Sequence, residues 1–158
     1  MKFVKLLCIL TGFSFFSYAL KSDYAENIHI TADKFYGTNN KEMIYEKNVI
    51  VKQGTLLIHA DKISTLSKRK KEDQIIIATG NPVTYKQLME NQTYITASAK
   101  EIHYNVDKHT VLLLKNGQIE QNGNMIKGSK ITYDMKHEKL IAEGNNKEQI
   151  TTIFQPNS

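Results

Sequence analysis

Ile58-His59-Ala60-Asp61-Lys62-Ile63 is one of four copies of a short motif that recurs along the chain. In each copy an apolar residue, a spacer and a small residue precede two mostly polar spacers and a second apolar residue. The other copies are Ile30–Phe35, Ala97–Ile102 and Ile126–Ile131, and the small residue returns after 28, 39 and 29 positions. A near-regular period of this length is typical of stacked supersecondary units that share one core. We therefore expect the function to reside in the stack.

Apolar and polar residues alternate over most of the chain after about residue 27, which predicts β-strands. Ile75/Ile77 and Val83/Tyr85, for example, are predicted as two strands. Turn residues cluster between the apolar segments at 37–40, 53–54, 67–73, 80–82, 91, 116–117, 122–124 and 144–146. No window holds a comparable helical period. The sequence predicts an all-β domain of many short strands joined by tight turns.

The motif contains a step of three residues from the small residue to the next apolar one, as from Ala60 to Ile63. A flat strand keeps one face at steps of two, so this step predicts a bulge or corner that turns both apolar runs toward one interior. Four such units build two facing sheets around an elongated apolar interior with unpaired edge strands at its ends. Alternatively, polar loops at residues 20–27 and 145–158 cover those ends.

The first residues resemble a secretory signal peptide. Two lysines precede an apolar run over residues 6–16, and Ser17-Tyr18-Ala19 supplies the small residues of a cleavage site. Residues 1–19 are therefore predicted as the signal peptide, with cleavage after Ala19 and one domain over residues 20–158. A retained membrane anchor is the alternative, but an eleven-residue apolar run is short for a bilayer span. Cys8 is the one cysteine of the chain, so the secreted part contains no disulfide.

Recognisable catalytic motifs are absent from the sequence. There is no nucleophile–base pattern, no glycine-rich phosphate loop and no metal-binding spacing among the five histidines. The formal net charge of +5 mildly favours an anionic ligand, but it is small for a nucleic-acid-binding protein. The basic run Lys68-Arg69-Lys70-Lys71 is interpreted as a solvated hairpin tip, with binding of anionic lipid as the alternative.

Several segments, in order and spacing, resemble the OstA-like family of lipopolysaccharide transport proteins. The matching segments are Ile28–Asp33, Asn48–Gly54, His59–Lys62, Gly80–Tyr85, Ile102–Tyr104 and Ile126–Tyr133. They extend over roughly residues 27–145, nearly all of the expected secreted chain. Lys47 departs from the family pattern, because a glycine usually stands before the first Asn-Val, and the basic loop near residues 68–73 is longer than usual.

The resemblance implies an open, twisted β-jellyroll (OstA-like) over residues 20–158, built from stacked antiparallel strand repeats with an apolar interior groove. That groove would hold the acyl chains of lipopolysaccharide, with aliphatic walls and Lys or Arg at its rim. Matching positions are Ile28, Ile30, Tyr85, Tyr104 and Val106, and the remaining candidates point inward by alternation. The candidate lipid-binding residues are Ile28, Ile30, Leu56, Ile58, Ile77, Tyr85, Ile95, Tyr104, Val106 and Leu113.

The resemblance also implies a location and partners. The chain would work in the periplasm, self-associate end to end, and dock through edge strands with inner-membrane LptC-like and outer-membrane LptD-like jellyrolls. It implies no enzymatic activity, no catalytic residue, no cofactor, no metal and no nucleic acid. Three alternatives remain at this point: a membrane-anchored LptC-like partner, a β-solenoid enzyme acting on polysaccharide, and a purely structural β-sandwich interaction protein.

Overall fold

The computed structural model describes residues 21–37, 42–66 and 73–156. The signal peptide predicted at residues 1–19 and the basic run at 68–71 lie outside the described residues. No helix among those described is long and apolar enough to span a bilayer. The elements are α1 Lys21–Ala25, β1 His29–Thr31, β2 Lys34–Gly37, β3 Glu42–Gln53, β4 Leu56–Leu66, β5 Ile75–Leu88, β6 Tyr94–Asn105, β7 Thr110–Gln121, β8 Asn124–Asp134, β9 Lys139–Glu143 and β10 Thr151–Ile153. The predicted all-β class is confirmed, although the short helix α1 was missed.

All the described strands belong to one antiparallel sheet, in the order β1-β3-β4-β5-β6-β7-β8-β10. The short strand β2 also pairs with β3, and β9 also pairs with β8. Each edge of the sheet is therefore a strand in two pieces, β1 and β2 at one end and β9 and β10 at the other. Residues of neighbouring long strands pair on both sides of a central irregularity.

These irregularities are corners at which the sheet bends. The register shifts once in every pair of long strands, for example between His59 and Lys62 of β4 and between Ser98 and Glu101 of β6. The corners divide the sheet into two arms, which we name by their edge strands. The β2–β9 arm lies on one side of the corners and the β1–β10 arm lies on the other. Because extra residues at a bulge bend a strand, the two arms face each other across one interior.

The three-residue step of the motif coincides with these corners, as predicted. Asp61 and Lys100 fall within the shifts of β4 and β6, and Ser129 falls within that of β8. In the first copy the chain breaks between β1 and β2 instead. A Cβ atom added to Gly128 would lie 3.1 Å from the carbonyl oxygen of Glu143, so the small residue leaves room for the neighbouring backbone.

Two predicted turns are wrong. Residues 80–82 and 116–117 were expected to separate short strands, but they are corners inside the long strands β5 and β7. Lys115 and Asn116 have φ values of 63° and 62°, so the chain bends there while pairing continues on both sides. Val83 and Tyr85 accordingly continue the strand that begins at Ile75. The long strands contain 11–14 residues each.

Cross-strand rows of side chains on the inner face of each arm build the core, and one row in each arm extends from edge to edge of the sheet. In the β2–β9 arm the row is Phe35, Tyr45, Ile63, Ala78, Ile102, Leu113, Ile131 and Ala142. In the β1–β10 arm it is Ile30, Val51, Ile58, Tyr85, Ala97, Ile119, Ile126 and Thr152. Both rows are most deeply buried in the central strands and become exposed toward the edges. The interior predicted from the repeat is thus present.

Phe35 does not reach that interior as the first copy of the motif had predicted. Its side chain is 58% exposed, because β2 is an edge strand and has a neighbouring strand, β3, on one side only. The Phe35 ring leans on Tyr45, with ring centroids 5.1 Å apart. The edge of the β2–β9 arm therefore exposes an aromatic side chain.

Candidate functional site

A cavity of about 410 Å³ opens between the arms near the β8–β10 end of the sheet. Inward side chains of both arms contribute to its wall. Its apolar lining includes Ile95, Ile119, Ile126, Tyr133, Leu140 and Phe154. Apolar walls that continue into the core suit an apolar guest better than a polar one.

The charged side chains that line this cavity are acidic. They are Glu90, Glu120 and Glu138, and none of the lysines in the described part of the chain lines it. The expected basic rim is therefore not found at this opening. Carboxylates would repel a phosphate placed here, so the opening favours uncharged chains over an anionic group.

A row of glutamines runs along the tip of the β1–β10 arm. Each glutamine lies at the end of a strand: Gln53 is the last residue of β3, Gln87 the second-last of β5 and Gln121 the last of β7. They follow one another at intervals of 34 residues. Ile95 pairs with both Gln87 and Gln121, so these side chains share the inner face. Gln53 and Gln87 are each 3% exposed, whereas Gln121 lines the open cavity. The groove thus has a polar edge beside its apolar wall.

The segment 21–28, which we call the strap, lies over the buried part of this polar edge. The Gln53 amide donates to the carbonyl oxygen of Glu26 at 3.1 Å. The Gln87 amide donates to the Asp23 carboxylate at 3.3 Å. The same carboxylate accepts hydrogen bonds from the Thr55 backbone N–H at 2.9 Å and the Thr55 hydroxyl at 2.5 Å. Asp23 is consequently 3% exposed.

The strap also contacts the opposite arm. The ring of Tyr24 stacks on His109 in the turn between β6 and β7, with centroids 4.1 Å apart and an interplanar angle of 27°. That turn belongs to the β2–β9 arm, whereas Gln53 and Gln87 belong to the β1–β10 arm. The strap therefore connects the tips of both arms across the interior.

Three tyrosines join the arms directly, and we call them the tyrosine seam: Tyr85, Tyr104 and Tyr133. The Tyr104 hydroxyl donates to Gln53 Oε1 at 2.6 Å. The Tyr85 hydroxyl donates to Gln87 Oε1 of its own arm at 2.5 Å and also lies 3.1 Å from Met135 Sδ across the interior. Tyr133 contacts Met89 only at 4.0 Å, beside the open cavity. Sulfur is a weak acceptor, so the cross-arm bonds weaken toward the cavity.

Burial raises the pKa of every tyrosine at this interface. It raises the pKa of Tyr24 to about 12. The same cause places the pKa values of Tyr85, Tyr104 and Tyr133 well above the ordinary phenol range. The phenols therefore remain neutral hydrogen-bond donors at physiological pH.

The sequence of this open jellyroll with an apolar interior matches a known family. Residues 29–139 match the family model described as "LptA/(LptD N-terminal domain) LPS transport protein". The chain belongs to this LptA/LptD N-terminal family. The resemblance identified in the sequence is confirmed.

Relatives of this LptA-family chain include two lipopolysaccharide export system proteins LptA. The protein of Haemophilus influenzae is 32% identical over 143 residues, which cover 89% of this chain and 83% of the relative. That of Escherichia coli strain K12 is 32% identical over 142 residues, covering 89% and 77%. The crystal structure of LptH from Pseudomonas aeruginosa, titled an "LptA homologous periplasmic component", superposes with a TM-score of 0.78 at 23% identity and covers 85% of this chain and 99% of that one. The jellyroll fold is shared.

Most candidate residues of this LptA-family chain lie where the sequence predicted. Within the core, the fully buried ones are Leu56, Ile58, Tyr85, Ile95, Tyr104 and Leu113. Ile28, Ile30 and Val106 are partly buried against it. Of these, Ile95 lines the open cavity and the others line the closed interior. Their contact with lipid stays a prediction.

The prediction that Ile77 points into the groove is wrong. Ile77 pairs with Ser64 and His103 on the outer face of the sheet, whereas its neighbours Ile76 and Ala78 are buried at 1% and 0% exposure. The run Ile75-Ile76-Ile77 is apolar on both faces, so alternation alone could not decide which residues point inward. The inward residue is Ile76.

Sequence reasoning missed the polar residues of the groove, Asp23, Gln53 and Gln87. The interval of 34 residues between the glutamines is the one signal of them in the sequence, but it does not show that their side chains point inward. Alternation assigns inward positions to apolar residues, so it does not identify buried glutamines. Among the described residues, no group of three histidine, cysteine or acidic side chains is placed to hold a metal ion.

Proposed function

We propose that this chain is a non-enzymatic carrier of lipopolysaccharide in the periplasm. The supporting observation is the cavity between the arms, whose apolar lining continues into the interior of the jellyroll. Membership of a lipopolysaccharide transport family supports lipopolysaccharide as the guest. Acyl chains inside this groove are shielded from water, at a gain of about 0.8 kcal/mol for each buried methylene.

Transfer requires that the lipid be released as well as bound. A groove that is open to solvent on one side exchanges its guest more readily than an enclosed cavity. Among the three cross-arm contacts of the tyrosine seam, that of Tyr133 with Met89 is the longest and lies at the open cavity, which favours separation of the arms there. We therefore place lipid entry at the β8–β10 end.

We further propose that jellyrolls of this kind dock end to end to bridge the two membranes. The edge strands support this, because among the described residues each has a neighbouring strand on one side only and lies beside an exposed aromatic side chain. Phe35 at one edge is 58% exposed, and Phe154 beyond β10 at the other is 76% exposed. Further partners would be LptC-like and LptD-like jellyrolls, after removal of residues 1–19 during export.

Photo-crosslinking at two adjacent residues of β9 tests the carrier proposal. Leu140 lines the cavity, whereas Ile141 lies on the outer face and is 47% exposed. A photoreactive residue at Leu140 should form lipopolysaccharide adducts in cells, and one at Ile141 should form few. Adducts of equal yield at both positions, or at neither, would contradict binding between the arms.

A further inference from the structure

The strap covers two of the three glutamines that lie at equivalent positions along the tip of the β1–β10 arm. Gln53 and Gln87 bind it, whereas the third glutamine, Gln121, lines the open cavity. The three follow one another at equal intervals of 34 residues on the same arm. The polar edge of the cavity thus continues beneath the strap, and the strap fills a stretch that would otherwise be open groove.

What the strap presents to this edge resembles the polar part of a lipid. Gln53 donates to a backbone carbonyl oxygen, that of Glu26. Gln87 and Thr55 donate to a carboxylate, that of Asp23. Amide carbonyls and anionic oxygens are also the hydrogen-bond acceptors of acylated, phosphorylated amphiphiles. The same donors can therefore accept such a guest when the strap leaves.

The strap is bound by contacts that can be reversed. Its helix α1 has only five residues, far fewer than a helix needs to be stable alone. Burying the Asp23 carboxylate costs free energy that its three hydrogen bonds must offset. Removal of the strap would uncover the amides of both glutamines to water or to a guest.

The turn between β3 and β4 is shaped to receive the strap. Gly54 has a φ of +58°, and a Cβ atom added there would lie 2.7 Å from Asp23 Cγ and 2.8 Å from Asp23 Cα. No side chain larger than hydrogen fits between the turn and the docked strap. A substitution of Gly54 can therefore displace the strap while the sequence of the strap stays unchanged.

We propose that the strap is a displaceable internal occupant of the groove, and that the polar part of the lipid replaces it on Gln53 and Gln87. The inference rests on the proposed function. In the closed form the strap holds both arms and blocks the stretch of groove beneath it. When lipid enters from the open cavity, the strap leaves and the full length of the groove becomes available.

Locking the strap with a disulfide tests this directly. The contact between Asp23 and Thr55 makes Asp23→Cys with Thr55→Cys the pair to use, in a full-length Cys8→Ser background so that no other thiol is present. Mass spectrometry establishes the bond in the secreted protein. Binding of lipopolysaccharide carrying a fluorophore on its sugar part is followed by fluorescence anisotropy. The oxidised protein should bind at least about tenfold more weakly than the same protein after reduction.

Releasing the strap should have the opposite effect. In Gly54→Asn the new residue also tolerates a positive φ, but its Cβ atom would clash with Asp23. The variant should therefore displace the strap and bind lipopolysaccharide more strongly. Lys115→Asn is the control, because Lys115 also has a positive φ, of 63°, and its exposed side chain pairs with Glu101, away from both the strap and the open cavity. Circular dichroism establishes that both variants retain the sheet.

The outcomes separate this inference from the proposed function. Weaker binding when locked and stronger binding in Gly54→Asn support it. Equal affinity of the oxidised and reduced forms, or of Gly54→Asn and Lys115→Asn, would overturn it while the carrier function stands. If the unmodified protein does not bind lipopolysaccharide at all, the proposed function fails, and the inference fails with it.

Discussion

The hydroxyl of Tyr104 donates a hydrogen bond of 2.6 Å to Gln53 Oε1 and so ties one arm of the sheet to the other. Tyr104 is fully buried on the β2–β9 arm, and Gln53 is 3% exposed on the β1–β10 arm. The Gln53 amide in turn donates to the strap. One glutamine therefore couples the closure of the arms to the docking of the strap.

Removing the Tyr104 hydroxyl should destabilise the protein. In Tyr104→Phe the buried Gln53 Oε1 loses its donor, which should lower the free energy of unfolding by about 1–3 kcal/mol in urea denaturation. The control is Tyr94→Phe, because Tyr94 is 49% exposed and lies over Lys86 on the sheet surface. That variant should change stability by less than about 0.5 kcal/mol. Equal losses in both variants would contradict a cross-arm role for Tyr104.

Two adjacent isoleucines test the orientation of β5. Ile76 is 1% exposed in the core, so Ile76→Ala should lower the free energy of unfolding by about 2–5 kcal/mol. Ile77 lies on the outer face, and Ile77→Ala should lower it by less than about 1 kcal/mol. Chemical denaturation of both variants measures the difference. A larger loss for Ile77 would mean that the strand faces the other way.

The corners could be predicted from the sequence, whereas the length of the strands could not. The step from Ala60 to Ile63 reports a change of side-chain parity, which is a local property of the chain and can be read from residue order. Whether a Gly-Asn-Pro segment such as 80–82 ends a strand or bends it depends on pairing with neighbouring strands. That pairing involves residues far away in sequence, and composition does not encode it.

The apolar half of the groove could be predicted, and the polar half could not. Leu56, Ile58 and Leu113 follow the alternation that any buried strand face requires. Gln53 and Gln87 break it, and they are buried only because the strap supplies their partners. A polar residue at an inward position is satisfied by a distant segment, so its burial follows from tertiary structure alone.

Lys47 should be a source of strain that can be removed. Its φ is 65° at the corner of β3, a conformation that costs a residue with a Cβ atom more than it costs glycine. Lys47→Gly should therefore raise the free energy of unfolding by about 0.5–1 kcal/mol. Lys127→Gly, in the exposed part of β8, should lower it by a similar amount, because glycine weakens a regular strand. A loss in both variants would show that the Lys47 side chain stabilises the corner.

Alkaline pH should weaken the fold through the buried phenols. Burial raises the pKa of Tyr24 to about 12 and raises that of Tyr104 further. Above pH 10 the unfolded chain releases phenolic protons that the folded protein retains, so stability is complete below about pH 10 and is lost as pH rises through the folded values. Each such tyrosine should contribute a slope of about 1.4 kcal/mol per pH unit.

The slope can be assigned by substitution. Urea denaturation at several pH values from 9 to 11 measures it in the native protein and in Tyr104→Phe. The variant lacks one titrating phenol, so its stability should fall less steeply with pH, whatever its stability at pH 8. Parallel slopes in the two proteins would show that Tyr104 does not carry the linkage.

End-to-end docking predicts that a charge at either edge of the sheet prevents assembly. Phe35→Asp and Phe154→Asp should each prevent oligomers longer than the monomer in sedimentation velocity, because a charge replaces an exposed aromatic side chain at a contact. Tyr94→Asp, in the central strand β6, should leave assembly intact. Equal assembly of all three variants would exclude these edges as the docking surfaces.

A mixture of the two edge variants distinguishes head-to-tail from symmetric docking. Phe35→Asp retains an intact β9/β10 edge, and Phe154→Asp retains an intact β1/β2 edge. A heterologous contact joins one edge to the other, so the mixture should form a dimer with one copy of each variant and grow no further. An isologous contact pairs like with like, so one variant alone would dimerise and mixing would add nothing. The mass of the species in the mixture therefore decides whether the chain can extend into a bridge.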